Sequence, residues 1–501
     1  MTGSQPRTTP LDIAKKALAL CAAAGALFLL AKYAIGSPAH GAAVILLALV
    51  PLGLYLALTR PLLFPYSVFL LAVPYDPLLS FSSGAGATLT RLLIFSAEAA
   101  FAARMLLVRR AYAPRRSWYA WGAALVAMIA STIWSIDTVQ TVNLCIIMLQ
   151  QFALFTLLGL YPVTRADLKF LSRSIVVCGT LAAFYGLYAY ASGTQRLAAT
   201  RLSIGNQNVH LDPNHYAACF FIPVAVAVAL LFRERRLVRI AVPAGALVVL
   251  VANSLLTGSR GGLVGIGIII IYTGIRMRRY LLTGLVTASA LALSFAIPNV
   301  WQRVLDPSQG EGSGRFELWV VGIAALKHYW LLGSGFGTFE FAYDQYFFNA
   351  YQRIFQGWSR PAHDLLLQSW VELGIVGFAA VVYAWFASFR QNKEIPRGDP
   401  LFPMRCAAES MILALFVEAL TLDILWYKYL WVALSFALVV ANAYRPLPFV
   451  AVRFRRRAPG IYRARAGEGL AEAAPRVAAR AAAINWSAPD RFKSTLDAPE
   501  M

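Results

Sequence analysis

Charge is scarce in this chain. Only 14% of its 501 residues are charged, against about 25% in a soluble domain, so polar side chains are too few to coat a water-facing surface. A soluble enzyme and a disordered regulator are excluded on that ground. Acidic residues are scarcer still, 24 Asp and Glu against 45 Lys and Arg, which leaves a net charge of +21. The five cysteines, Cys21, Cys145, Cys178, Cys219 and Cys406, show no spacing that suggests a disulfide or a zinc site. A disulfide-rich secreted module is excluded as well. Histidine is also rare, at five residues, and none has ligand partners at metal-binding spacing; His363 beside Asp364 alone makes a poor metal site. No metal and no other cofactor is expected.

Long apolar runs fill the space that charge leaves. A bilayer core of roughly 30 Å takes about 20 apolar residues per helical crossing. Windows of that kind lie near 17–35, 41–59, 61–78, 91–108, 117–136, 140–160 and 168–190, then near 214–232, 237–255, 260–276, 279–297, 365–389, 407–424 and 425–443. The last two allow a single bent helix. The expected fold is an all-α polytopic membrane protein with about 12–14 transmembrane helices. Lys15 and Lys16 precede the first window, which reads as an uncleaved anchor.

Basic residues cluster in the short loops, at Arg109–Arg116, Arg165–Arg173, Arg233–Arg239, Arg276–Arg279, Arg390–Arg405 and from Arg445 onward. All fall on one side if both termini are cytoplasmic, the pattern of the positive-inside rule. That accounts for the net charge without nucleic acid, which is not expected as a partner; membrane lipid is. Residues 1–297 then carry helices 1–11, 298–364 form a large outer loop, 365–445 carry helices 12–14, and 446–501 make a basic cytoplasmic tail. The outer loop is rich in aromatic residues, with amphipathic helices expected around 315–331 and 339–357. It reads as a cap on the outer leaflet; the plainer reading is a packed lid without a catalytic role.

Arginines on the outer side break the orientation rule and need another reason. Arg196 and Arg201 lie in the 191–213 loop, Arg260 opens a helix within Thr257–Gly262, and Arg315 lies in the large loop. A guanidinium matches phosphate oxygens and keeps its charge, and Arg260 adds the free N–H groups of a helix start. The plainer reading of Arg260 is a snorkelling anchor. His363, directly before the 365–389 window, is the one group there suited to base chemistry near neutrality, although a lone histidine is more often structural. Glu372 and Asp423 sit near the outer ends of their helices, placed to orient His363 or an arginine. An enzyme facing outward has no ATP, so its donor arrives activated. A sugar on a polyprenyl diphosphate meets that condition: arginines hold the diphosphate, and a base activates the acceptor hydroxyl. An inverting single displacement is the economical course.

The run from His363 through Glu372 to Gly374 resembles the His-x(8)-Glu-x-Gly signature of the O-antigen ligase family, within the O-antigen ligase and polymerase superfamily. Thr257–Gly262 with its arginine, Asp212–His215 opening a helix, and Arg315 with Trp319 followed by Gly333–Gly337 add to the likeness. The resemblance implies a GT-C-like enzyme of the bacterial inner membrane with its site on the periplasmic face. It implies transfer of O-antigen from undecaprenyl diphosphate to lipid A–core oligosaccharide without metal or nucleotide. On that basis His363 is the expected catalytic residue, and Arg260, Arg315, Arg201 and Arg196 bind the donor diphosphate. Asp364, Glu372 and Asn214 support them. Asp364 departs from the Asn or Ser common in the family. An O-antigen polymerase, a protein O-oligosaccharyltransferase and, from another class, a polytopic transporter are the alternatives. A transporter predicts repeated halves and broken mid-membrane helices, neither of which the sequence suggests.

Overall fold

The computed structural model describes residues 50–79, 88–197, 201–205, 211–295, 301, 315–350, 357–444 and 449–451. The expected anchor near 17–35, Arg303, Arg353 and the tail beyond 451 lie outside the described residues. The order begins with α1 (Val50–Thr59) and α2 (Tyr66–Ala72). There follow α3 (Leu89–Val108), β1 (Arg110–Tyr112), α4 (Arg116–Ala130), α5 (Thr138–Leu160) and α6 (Arg165–Ala191). The hairpin β2 (Arg196–Leu197) and β3 (Arg201–Leu202) leads to α7 (Pro213–Cys219) and α8 (Phe221–Arg233). Then come α9 (Leu237–Leu256), α10 (Arg260–Met277), α11 (Tyr280–Phe295), α12 (Arg315–Tyr329) and α13 (Phe339–Tyr346). The last elements are α14 (Leu365–Arg390), α15 (Phe402–Ala419), α16 (Lys428–Tyr444) and β4 (Phe449–Ala451).

The protein is all-α in its spanning part. Among the described residues, six helical stretches are long and apolar enough to cross a membrane: α5, α6, α7 with α8, α9, α10 and α14. From 91 onward each apolar window of the sequence coincides with a helix. The strands form two short antiparallel ladders, β1 with β4 and β2 with β3. Large apolar side chains point outward along the helices: Val139, Val242, Val376, Leu281 and Val238 are between 72% and 86% exposed. In water such faces are a liability, whereas in lipid they are the contact surface.

The interior is organised on the α7–α8 stretch, whose residues are buried almost throughout. The α10 helix packs along α8 and α15, α9 along α6, and α14 along α4. At about 1.5 Å per residue, 21 residues from Pro213 to Arg233 reach the roughly 30 Å of a bilayer core. The two ends of this central strut are therefore far enough apart to lie at opposite membrane surfaces. At one end stand Asp212–His215, and at the other Arg233.

Side-chain caps set the helix starts at the first of these ends. Asp212 accepts from Asn214 N at 2.7 Å with Pro213 in the first turn. Ser259 accepts from Gly262 N at 3.0 Å to start α10. Asp364 accepts from Leu366 N and Leu367 N, at 2.8 and 3.0 Å, to start α14. Each closes backbone donors that a helix start leaves open.

Two features differ from the sequence expectation. The α14 helix is broken at Gly374 (φ 65°, ψ −174°), a region open only to glycine. The broken turn is bound by the loop after α12: Ser334 N and Gly335 N donate to the carbonyls of Val371 and Glu372, and Ile375 N donates to Trp330 O, each at 2.9 Å. A Cβ at Gly374 would overlap the Leu331 carbonyl. The helix expected over 339–357 runs only to Tyr346, continued by a short 3-10 turn to Asn349. The windows near 407–424 and 425–443, by contrast, are the separate helices α15 and α16, joined by a turn over 420–427, and not the single bent helix the sequence also allowed.

Candidate functional site

The turn over 359–364 holds the imidazole. His363 adopts a left-handed backbone (φ 49°), as does Ser359 (φ 51°), a conformation uncommon outside glycine that clusters where surroundings enforce it. Here the enforcing contacts are visible. The His363 N–H donates to Asp423 Oδ2 at 3.3 Å, and Trp319 Nε1 of α12 donates to the Ala362 carbonyl at 3.1 Å. The imidazole Nδ1 stands 3.8 Å from the same Asp423 oxygen, beyond hydrogen-bonding distance. His363 Nδ1 and Asp423 Oδ1 are both buried without a hydrogen-bond partner. The His363 side chain nevertheless keeps 26% exposure, enough for a ligand to reach it.

Burial, then the Arg315 and Arg360 guanidiniums, push the His363 imidazole down to about 4, with Asp212 partly opposing them. At neutral pH it is therefore uncharged and able to accept a proton. Burial pushes the Asp423 carboxyl up to about 7 against the His363 and Asp364 N–H groups, which favour its charge. The same cause raises Asp364 above the usual carboxylate range. Arg315, at the start of α12, is lowered by burial and by the neighbouring Arg260 cation, while Glu418, Asp212 and Asp423 stabilise it. These mutual fields place Arg260, Arg315 and His363 in one site with Asp212, Glu418 and Asp423.

The arginines enter from three segments. Arg260 is exposed at the first turn of α10. The backbone beside it is open: a Cβ at Gly261 would overlap the Glu418 carboxylate, so glycine at 261 lets that buried acid approach the helix start. Arg201 donates through Nε to the Thr257 carbonyl at 2.8 Å and through a terminal nitrogen to Asn214 Oδ1 at 3.4 Å. It therefore joins the β2–β3 hairpin to the starts of α7 and α10. Arg196 pairs with Leu202 in that hairpin through its backbone; its side chain lies outside the described residues.

The supporting residues divide by task. Asn214 receives Arg201, and Asp364 caps α14. Glu372 does not serve as an orienting group for His363. Its carboxylate accepts from Gln368 Nε2 at 2.8 Å and from Phe339 N at 3.2 Å, which ties the start of α13 to the broken part of α14. From the Asp364 cap, eight residues of helix carry Glu372 about 12 Å along the axis, away from the imidazole. Asp423 takes the place beside His363 instead.

Four further residues complete the surroundings: Asp212 and His215, from the run that opens α7, with Glu418 and Arg360. His215 lies buried under the floor, stacked on Tyr427 at 3.9 Å between ring centres and bonded through Nδ1 to the Tyr429 hydroxyl at 2.9 Å. Among the described residues no three His, Cys, Asp or Glu side chains gather at metal-ligand distance. The assembled site brings arginine cations, a neutral imidazole and buried carboxylates together at one end of the helix bundle.

Residues 245–382 match the family model described as O-antigen ligase (Wzy_C). The matched stretch contains Arg260, Arg315, His363, Asp364 and Glu372, and it stops short of Asp212, Asn214, Glu418 and Asp423. It supports a place in the O-antigen ligase and polymerase superfamily, whose members are glycosyltransferase-like enzymes of glycan processing. No curated protein matches the chain.

Proposed function

We propose that the chain is a lipid-linked polysaccharide ligase. It transfers O-antigen from undecaprenyl diphosphate to lipid A–core oligosaccharide, as a GT-C-type enzyme of the bacterial inner membrane with its site on the periplasmic face. The observation that carries the reading is the pairing of the Arg260 and Arg315 cations with an imidazole held neutral beside them. The family match supports the reaction class, and the lipid-facing helices support a donor that stays in the bilayer.

In this reading the donor's polyprenyl tail lies in lipid and its diphosphate meets Arg260 and Arg315, with Arg201 behind. The acceptor hydroxyl attacks the anomeric carbon as the bond from that carbon to the diphosphate oxygen breaks, inverting the centre. The hydroxyl proton passes to His363. The Asp423 carboxylate faces Nδ1, which favours the tautomer protonated there and leaves Nε2 as the acceptor nitrogen. The diphosphate leaves with the electron pair, and its growing charge is met by the guanidiniums. Protonation of the leaving group is not required, so a single base suffices and no residue need act as general acid.

Reconstitution tests this directly. Purified protein receives polyprenyl-diphosphate glycan together with lipid A–core, free glycan or protein acceptors in separate reactions. Product on lipid A–core supports the ligase. Extension of glycan alone makes the chain a polymerase, modification of protein makes it a protein O-oligosaccharyltransferase, and substrate crossing the bilayer without product makes it a transporter. His363→Ala is expected to abolish transfer while donor binding persists; full transfer in that variant removes the base.

A further inference from the structure

A cationic recess lies at the other end of the bundle. It is lined by Arg233, Arg235, Arg276, Arg278, Arg279 and Arg397, encloses about 390 Å³, and carries Asp399 as the acid on its wall. Two of its neighbouring acids are already engaged. Asp399 pairs with Arg165 at 3.2 Å, and Glu409 takes Arg405 at 2.7 Å and Arg276 at 3.4 Å. The Arg276 Nε donor is buried with no acceptor. Arg278, which ends α10, adopts a left-handed backbone (φ 55°).

Orientation by positive charge explains why arginines lie at this end. It does not explain why they converge on a cavity. A second observation bears on the occupant. An apolar groove of about 180 Å³ runs between α9 and α11, lined among others by Leu231, Val248, Ile270, Leu285 and Ala290. Groove and recess have α8 and α10 in common. Leu231 is two residues before Arg233 on α8, and Ile270 is six before Arg276 on α10, or about 9 Å along the axis. An acyl chain in the groove thus leads its headgroup to the arginines.

We propose that this end of the protein is a binding site for an anionic phospholipid, with the phosphodiester held by the six arginines and one acyl chain seated between α9 and α11. Basic pockets between spanning helices favour such headgroups, at about 1 kcal/mol per basic residue near the surface. The inference rests on the bundle alone and stands whichever transfer reaction the opposite end performs.

The test uses the whole protein in neutral nanodiscs or detergent, with retained lipid read by native mass spectrometry and thermal stability read in parallel. Phosphatidylglycerol is expected to be retained and to raise the melting temperature, and phosphatidylcholine is not. The triple substitution Arg233→Gln, Arg278→Gln, Arg279→Gln is expected to weaken phosphatidylglycerol about a hundred-fold. Ala290→Trp, which fills the groove and leaves every charge in place, is expected to weaken it as well. Removing as many charges at Arg455, Arg456 and Arg457 should leave the specific retention unchanged. Equal loss in that control means diffuse surface attraction and overturns the site. Equal stabilisation by inorganic phosphate, with Ala290→Trp without effect, reveals a soluble-anion pocket and also overturns the lipid assignment. Retention unchanged in both the triple variant and Ala290→Trp does the same.

Discussion

The environment of His363 makes a quantitative demand on the pH dependence of transfer. An ordinary imidazole titrates near 6.5, whereas burial and the Arg315 and Arg360 cations hold this one at about 4. A base works only when neutral, so activity falls as pH drops through its pKa. At pH 5.5 a group titrating near 4 is almost wholly neutral, while one near 6.5 is only about one-tenth neutral. The two cases differ by roughly ten-fold in rate at that pH. The assay is kcat/KM for transfer of a fluorescent polyprenyl-diphosphate glycan between pH 4.5 and 8, which reports the free enzyme.

Apart from a shallow step near neutrality, the expected profile changes little above about pH 5.5. Arg360→Gln removes one of the cations that oppose protonation, so the acid limb should move to higher pH. In kcat, which reports the loaded enzyme, the limb should also lie higher, because the bound diphosphate is an anion near the ring and favours its charged form. Asp423, pushed up to about 7, adds a shallow step near neutrality: its charged form dominates above that pH, and protonation below it weakens its hold on the Nδ1 proton. Asp423→Asn keeps an acceptor for the His363 N–H and should abolish that step without moving the acid limb. A wild-type kcat/KM limb near 6.5, unmoved by Arg360→Gln, would refute the base as drawn here.

Arg260→Ala or Arg315→Ala should weaken donor binding by roughly ten- to a hundred-fold, the scale of one or two lost charge-assisted hydrogen bonds; unchanged donor affinity in a purified assay removes that residue from the diphosphate site. Glu372→Ala leaves the Phe339 N–H and the Gln368 amide without their acceptor, which should cost about 1–3 kcal/mol. A fall in melting temperature checks this, and transfer that falls with no loss of stability would instead make Glu372 part of the chemistry. If guanidiniums supply the cationic charge at the diphosphate, as proposed, chelation by EDTA should leave the rate unchanged; loss of activity restored by a divalent ion would overturn that.

The division between what was legible in the sequence and what was not follows the range of the interactions. Spanning helices are written locally: about 20 apolar residues in a row are sufficient, and the windows at 140–160, 168–190 and 260–276 correspond to α5, α6 and α10. The importance of an arginine beside small residues at 258–262 was also local, and it pointed to a helix start. Partnerships across the bundle left no such trace. His363 meets Asp423 across 60 residues; the sequence offered Asp423 and Glu372 alike as orienting acids, and only the folded chain separates their tasks. Glu418 was similarly indistinct, although glycine at 261 is its counterpart. Glu372 shows the opposite error. Its nearness in sequence to His363 suggested a shared task, but helical rise carries it out of reach, and its carboxylate closes the loop that the break at Gly374 requires. The family-like spacing of His363, Glu372 and Gly374 thus combines two requirements in one run. On the proposed reading the histidine serves the acceptor, while the acid and the glycine secure the loop between α12 and α13. Those two requirements are separable by experiment, since the second should be visible in stability and the first only in turnover.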